Sequence, residues 1–163
     1  MINPEEQKLY DILNRLEIKY IRHKHKPVYT VEEADNLDID IPGQHCKNLF
    51  LRNKKGNIHY LVIAGSKKQI DLKALSKQIG SSGLSFASEE RLNKHLGIKS
   101  GAVSPFGLIN DIEKKVIVLI DNALIDKSLV NFHPNVNTAT IGVSYADLEK
   151  FIRWHENKFQ YIE

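Results

Sequence analysis

The first part of the chain carries apolar residues at the spacing of an amphipathic helix. Leucine and isoleucine recur every three or four positions between residues 9 and 16, so they would lie on one helix face. Asn3, followed by Pro4 and Glu6, is typical of a capping box with proline at the first helical position. The pattern therefore predicts a helix at the start of the chain.

The segment after this helix is predicted to form a short strand and a second, shorter helix. Residues 20–23 have the pattern of a strand, and Pro27 keeps the residue before it out of the α region. Thr30 and Glu33 then form a second capping box, which predicts a short acidic helix at about residues 31–36.

The clearest sheet signal is a pair of β-rich runs, residues 47–53 and 58–65, on either side of the turn sequence KKGN. These runs predict a β-hairpin, with Lys47 at its start. Further strands are predicted at residues 116–120 and on both sides of a turn at residues 133–135.

Three more helices are predicted, each with a recognisable end. A helical apolar pattern precedes Gly80, Ser88 opens a helix that Gly97 closes, and Ser144 opens a last helix. Strands and helices are mixed without strict alternation. The expected fold class is therefore α+β: a single domain over residues 1–163, with a mixed, largely antiparallel β-sheet and flanking helices.

The composition is that of one soluble globular domain. The chain has 163 residues, of which 42% are hydrophobic and 26% charged, and no run approaches the roughly 20 apolar residues that cross a bilayer. The N-terminus has no basic region followed by an apolar one, so no signal peptide is expected. The single cysteine, Cys46, suits a reducing compartment, and a cytoplasmic location is expected.

Positive charge is concentrated in one stretch, although the formal net charge is only +3. Residues 47–77 contain eight lysines and arginines and one acidic residue, whereas residues 28–40 contain five acidic residues and no basic one. A basic stretch of this kind can lie along a phosphate backbone. On charge alone, a solvated lysine-rich surface is the more ordinary interpretation.

The sequence lacks the motifs of several common sites. It has no phosphate loop, no dinucleotide-binding glycine pattern, no HExxH metal motif and no GxSxG nucleophile elbow. We therefore expect neither a metal nor a cofactor. Neighbouring strand residues point to opposite faces, so His45 would point away from Cys46, which favours Cys46 as a small apolar residue. A small-molecule hydrolase built around the Cys46 thiol stays an alternative.

Four separated motifs together resemble those of the prolyl-tRNA editing family: PVYTVEEA, CKNLFLR, GAVSPFG and FHPNVNTATIGVSYADLEKF. The family includes YbaK-type proteins and the editing insertion of bacterial prolyl-tRNA synthetase. The resemblance runs from about residue 18 to residue 151, in the family's order. It is strongest to free-standing alanyl-tRNA(Pro) deacylases of the PrdX and ProXp-ala type, and it implies the YbaK editing-domain fold.

The resemblance implies a site built from three of these motifs. Its catalytic residues would be Lys47, Gly101 and His133, where otherwise a strand lysine, a turn glycine and a hairpin histidine would be the ordinary interpretation. The predicted substrate-binding residues are Thr30, Val31, Asn48, Ala102, Val103, Ser104 and Pro105. The predicted tRNA-binding residues, at the hairpin turn, are Arg52, Lys54 and Lys55.

The function implied by the resemblance is hydrolysis of the ester of mischarged alanyl-tRNA(Pro), in trans, at the acceptor end of the tRNA. A transient association with prolyl-tRNA synthetase is expected. Two alternatives remain: a deacylase of the same fold acting on cysteinyl- or seryl-tRNA(Pro), and a non-catalytic tRNA-binding accessory protein.

Overall fold

The computed structural model of the protein describes residues 2–27 and 41–163. Within these ranges, helices α1 to α4 span Pro4–Arg15, Leu72–Ile79, Glu89–Leu96 and Tyr145–His155. All four were predicted. The further helix predicted at residues 31–36 lies outside the described residues.

Helix ends are set by the predicted caps. The Asn3 side chain accepts a hydrogen bond from the backbone N–H of Glu5 at 2.8 Å, and Ser88 and Ser144 cap α3 and α4 in the same way. Gly80 closes α2 with a φ of 69°, in the left-handed region where glycine has no steric penalty.

The strands form one mixed sheet. Their bounds, from β1 to β8, are Ile21–Lys24, Gln44–Arg52, His59–Gly65, Ser85–Phe86, Val116–Asp121, Val130–Phe132, Ala139–Val143 and Phe159–Ile162. The order across the sheet is β1-β7-β6-β2-β3-β5-β8, and β4 also pairs with β2. The described pairings β1·β7, β6·β7, β2·β3 and β2·β4 are antiparallel, whereas β2·β6, β3·β5 and β5·β8 are parallel. This confirms the predicted α+β class with a mixed sheet.

The sheet separates two apolar layers of unequal size. On the larger side, α1, α3 and α4 pack against alternate strand residues such as Leu61 and Val118. On the other side, Leu75 of α2 packs against Val62 and Leu119. Within the ranges described, no helix combines the length and apolar character needed to cross a membrane.

The position of the Glu6 side chain contradicts the predicted capping box. It was expected to complete the capping box at Asn3, but its carboxylate is buried and accepts hydrogen bonds from Tyr10 Oη and, at 2.6 Å, from Arg22 Nε. The carboxylate therefore ties α1 to β1 instead of capping its own helix. Burial and the Glu6 carboxylate together raise the pKa of Tyr10, so its phenol stays protonated and donates.

Candidate active site

Lys47 lies in the middle of β2 and not at its start. Its side chain is half-buried, and its backbone pairs with Ala64 of β3. Because side chains alternate along a strand, Lys47 shares a face with Leu49, whereas Cys46 and Asn48 point to the opposite face. Lys47 is thus a cation held on the rigid centre of the sheet.

The pairing of β2 with β6 brings the chain segments of Lys47 and His133 side by side. These parallel strands pair Gln44 with Val130 and His45 with Asn131. Lys47 and His133 each follow these pairs by a few positions, Lys47 within β2 and His133 as the first residue after β6. Two of the three predicted catalytic residues therefore come from neighbouring chain segments.

The imidazole of His133 is fixed and neutral. Its Nδ1 lies 2.9 Å from the carbonyl oxygen of Ala139, so Nδ1 carries the proton and donates. Burial lowers the pKa of His133, the Ala139 carbonyl opposes this, and His25, whose ring centroid is 6.0 Å away, lowers the pKa further. At neutral pH the Nε2 lone pair is therefore available to accept a proton.

The predicted site loop is regular: two short 3-10 helices at Ser100–Ala102 and Pro105–Asn110 replace the expected irregular chain. The Ser104 hydroxyl accepts a hydrogen bond from the N–H of Phe106 at 3.1 Å, and Pro105 starts the second helix. Ser104 and Pro105, which were predicted to bind substrate, are both buried, and the contacts described for them stabilise the loop. Val103, between the two helices, is half-buried.

A cavity of about 600 Å³ lies beside this loop. Gly101 and Ala102 line one wall, and residues 135–138, just after His133, line another. The Asn135 side chain joins the two walls by donating from Nδ2 to the carbonyl oxygen of Phe106 at 3.2 Å. Its Oδ1 is buried and, among the described residues, has no hydrogen-bond partner. Such an acceptor is available to a ligand donor group.

Asn48 borders a gap in the sheet. On the side of β2 that faces β6, the described strands pair only residues 44–45 with β6 and residues 51–52 with β4. Gln44 N–H donates to Leu129 and Phe50 C=O accepts from Ala87 on this side, so the backbone groups of Asn48 point to the same gap. The side-chain Oδ1 of Asn48 is also buried without a partner in the described ranges. Asn48 thus offers polar groups at this gap, on the face of β2 opposite to the Lys47 side chain.

Cys46 has the environment of a structural residue. Its side chain packs against the larger apolar layer, and burial raises the pKa of its thiol to about 12. The thiolate is the nucleophilic form of cysteine, so at neutral pH this thiol is nearly inert. The geometry argues against a hydrolase built around Cys46.

We expect iodoacetamide to label native Cys46 at least about 100-fold more slowly than a free cysteine at pH 8, because a thiol with a raised pKa stays protonated below that pKa. Deacylation should survive the treatment. Mass spectrometry measures the labelling, and urea-unfolded protein is the control that should react at the ordinary rate. Rapid labelling with loss of activity would restore the thiol hydrolase alternative.

The remaining predicted residues lie in two places. Lys54 and Lys55 are exposed at the β2–β3 turn, and Arg52 Nη1 donates to the carbonyl oxygen of Lys54 at 3.4 Å. Thr30 and Val31 lie outside the described residues. In the part of the chain that is described, no three histidine, cysteine, aspartate or glutamate side chains are grouped as a metal site would require.

Sequence reasoning missed two site residues, His25 and Asn135. His25 Nε2 lies 2.8 Å from Thr140 Oγ1, and its position beside His133 depends on the pairing of β1 with β7. Asn135 has a φ of 65°, which asparagine tolerates better than most residues. The local sequence gave one indication of the Asn135 conformation, which is that Pro134 is followed by Asn135 in the predicted turn.

Solved structures show the same fold. A protein proposed as a trans-editing enzyme for prolyl tRNA synthetase covers 100% of this chain, and 99% of that chain is covered, with a TM-score of 0.74 at 18% sequence identity. At this identity the likeness shows the fold alone. The chain therefore has the α+β fold of that protein.

Sequence comparison shows the family. The model of the aminoacyl-tRNA editing domain matches residues 25–151. The prolyl-tRNA editing protein ProX of Acetoanaerobium sticklandii is 50% identical over 151 residues, 93% of this chain and 92% of that protein. Prolyl-tRNA synthetase associated domain-containing protein 1 of Danio rerio is 33% identical over 148 residues, 90% of this chain and 80% of that protein. The chain belongs to the aminoacyl-tRNA editing domain family and is an aminoacyl-tRNA hydrolase, which confirms the predicted family and enzyme class.

Proposed function

We propose that this protein hydrolyses the ester of mischarged alanyl-tRNA(Pro) in trans, with the site at Lys47, Gly101 and His133. The observation that carries the proposal is the parallel pairing of β2 with β6, which brings the segment of a half-buried lysine beside that of a neutral histidine. The 50% identity to a prolyl-tRNA editing protein supports tRNA(Pro) as the carrier.

The reaction needs an attacking water and a stabilised oxyanion. An ester is already activated, so no covalent nucleophile is required. In the proposed mechanism, His133 Nε2 takes a proton from water as its oxygen attacks the carbonyl carbon, and the Lys47 ammonium stabilises the oxyanion. The ester C–O bond then breaks, and the ribose oxygen takes the proton from His133. The products are alanine and tRNA with a free hydroxyl group.

Substrate selection would come from the walls of the site. Carbonyl groups near Gly101 would accept hydrogen bonds from the ammonium group of the amino acid, and the Oδ1 atoms of Asn48 and Asn135 are further acceptors. A small pocket excludes proline sterically, whereas each fitted methylene gains only about 1–3 kcal/mol. Thr30, Val31 and the 102–105 loop residues stay predicted contributors to this pocket.

The proposed function is tested by incubating the protein with alanyl-, seryl-, cysteinyl- and prolyl-tRNA(Pro) and measuring the remaining ester. We expect alanyl-tRNA(Pro) to be lost fastest and prolyl-tRNA(Pro) to survive. Faster loss of the seryl or cysteinyl ester would move the assignment to that substrate. Binding of tRNA with loss of none of the four esters would support a non-catalytic accessory protein.

Replacing Lys54 and Lys55 together by glutamine should weaken tRNA binding and its salt dependence. Each phosphate contact contributes about 0.7–0.9 to the slope of log affinity against log salt, so two lost contacts should reduce the slope by about 1.5. Fluorescence anisotropy over a salt series measures this. The matched control is Lys19→Gln with Lys158→Gln, two exposed lysines outside the basic stretch. An unchanged affinity and slope would remove Lys54 and Lys55 from the tRNA interface.

A transient association with prolyl-tRNA synthetase and a cytoplasmic location both stay predictions. The association follows from the proposed substrate, because a trans-acting hydrolase meets mischarged tRNA most often where it is released. Analytical ultracentrifugation of this protein with the synthetase, with and without tRNA(Pro), tests it. Sedimentation as separate species in both cases would contradict the association.

A further inference from the structure

A second cavity, of about 530 Å³, lies between α3 and the β2–β3 turn. Arg91, Lys94 and His95 of α3 line one side, and Gly56 and His59 line the other. The described lining also includes Lys115 and one carboxylate, that of Glu90. We call this cavity the arginine pocket. Its lining has an excess of positive charge.

Arg91 is held in place from one end of its guanidinium group. Its Nη1 lies 2.8 Å from the carbonyl oxygen of Gly56 and 3.1 Å from His59 Nε2. Nη1 donates to both, because a guanidinium group has no acceptor atom. The remaining donors, on Nη2 and Nε, are not used by these bonds. A fixed guanidinium fork is well suited to bind an oxyanion.

Gly56 allows a second guanidinium group to come close. The residue has a φ of +72°, and a Cβ at this position would lie 2.9 Å from Arg91 Nη2 and 3.1 Å from Arg52 Nη1. Two like charges thus crowd the same small volume. Lys115 is paired with Glu113 at 2.9 Å, so the uncompensated charge is concentrated at Arg52, Arg91 and the exposed Lys94.

The positive charge in the pocket affects the pKa values of two histidines, His59 and His95. Their ring centroids are 4.2 Å apart, and His59 is buried. Burial, followed by the charges of His95, Arg91, Lys94 and Arg52, lowers the pKa of His59 to about 4. Burial also lowers the pKa of His95, against the opposing effect of Asp111. The histidines are therefore neutral, and a bound anion would relieve the repulsion among the remaining cations.

We propose that the arginine pocket binds a phosphate group, and that in the working enzyme this is a backbone phosphate of the tRNA. The tRNA assignment rests on the proposed function, whereas the phosphate chemistry follows from the pocket. Arg52 Nη1 also donates to the carbonyl oxygen of Lys54, so the pocket is continuous with the predicted tRNA surface at the β2–β3 turn.

The test measures the binding of uncharged tRNA(Pro) to the full chain over a salt series. Arg91→Gln with Lys94→Gln should raise the Kd about tenfold at low salt and reduce the salt slope by about 1. The matched control, Lys19→Gln with Lys158→Gln, removes the same charge at exposed positions outside the basic stretch. Lys94→Gln alone, at an exposed position, gives a smaller loss and remains informative where Arg91→Gln impairs folding.

A second arm titrates inorganic phosphate against the isotope-labelled protein and follows the ring signals of His59 and His95 by NMR. Saturable shifts that weaken in Lys94→Gln and vanish in Arg91→Gln with Lys94→Gln support the pocket. Shifts without any effect on tRNA binding would mean a free phosphate ligand and overturn the tRNA assignment. No shifts, with tRNA binding equal to that of the control, would overturn the pocket.

The outcome is independent of the deacylation assay, because uncharged tRNA carries no ester. Pocket-dependent tRNA binding without ester hydrolysis would remove the proposed function and leave the pocket. Ester hydrolysis by the protein, together with pocket variants that bind tRNA as well as the control does, would support the proposed function and overturn the pocket.

Discussion

Replacing Lys47 by alanine should lower kcat/KM for alanyl-tRNA(Pro) by at least about 100-fold, which is the usual effect of removing one group that stabilises an oxyanion. The strand should tolerate the change, since Lys47 is half-buried and its backbone pairing with Ala64 does not depend on the side chain. Thermal unfolding monitored by circular dichroism should therefore be close to that of the wild type. Single-turnover deacylation measures the rate.

The division of the effect between kcat and KM identifies the group that Lys47 contacts. A fall in kcat with unchanged KM would show that Lys47 contacts the developing negative charge of the ester. A rise in KM alone would show that Lys47 contacts a phosphate group of the tRNA. Lys47→Arg tests whether a compact ammonium is required, because the planar guanidinium group directs its donors differently. Lys73→Ala on α2 is the control. A Lys47→Ala enzyme within about threefold of the wild-type rate would contradict the proposed site.

Replacing Glu6 by alanine should reduce the free energy of unfolding by about 2–3 kcal/mol, below the roughly 3–5 kcal/mol of a broken, fully buried ion pair. The carboxylate is almost fully buried, and its loss leaves the Arg22 guanidinium and the Tyr10 hydroxyl without their acceptor. Arg22 is 27% exposed, so water compensates part of the cost. Urea denaturation measures the change.

Glu5 provides the comparison for Glu6. It lies in the same helical turn but is exposed, so Glu5→Ala should cost about 0.5 kcal/mol or less. Tyr10→Phe in both the wild-type and Glu6→Ala backgrounds separates the hydroxyl from the guanidinium partner. Equal costs for the two glutamates would mean that the buried carboxylate contributes nothing to folding.

Local features of the fold were predictable because their causes are local. The caps at Asn3, Ser88 and Ser144 and the glycine ends of α2 and α3 depend on residues a few positions apart. Strand β8 was missed because its four residues, FQYI, have too short a pattern, and it forms by parallel pairing with β5. The burial of Glu6 was missed for a similar reason, since it depends on Arg22 of β1.

Lys47, Gly101 and His133 were selected by their resemblance to family motifs and not by their chemistry. Alone, each residue had an ordinary structural interpretation. The parallel pairing of β2 with β6, which brings the segments of Lys47 and His133 together, is not indicated by any local pattern. The arginine pocket was invisible for the same reason, because Arg52 and Arg91 meet only at Gly56.

The two sites differ in how far apart in the chain their parts lie. The arginine pocket is formed mostly by the β2–β3 hairpin and the nearby helix α3, whereas the proposed editing site includes residues next to β6, much later in the chain. Closing the longer loop costs more entropy and slows its contacts. During refolding, pulse-labelled hydrogen exchange should therefore protect the hairpin amides before those of β6, and simultaneous protection would contradict this order. A newly synthesised chain would then be able to bind RNA at the arginine pocket before it is able to hydrolyse the ester.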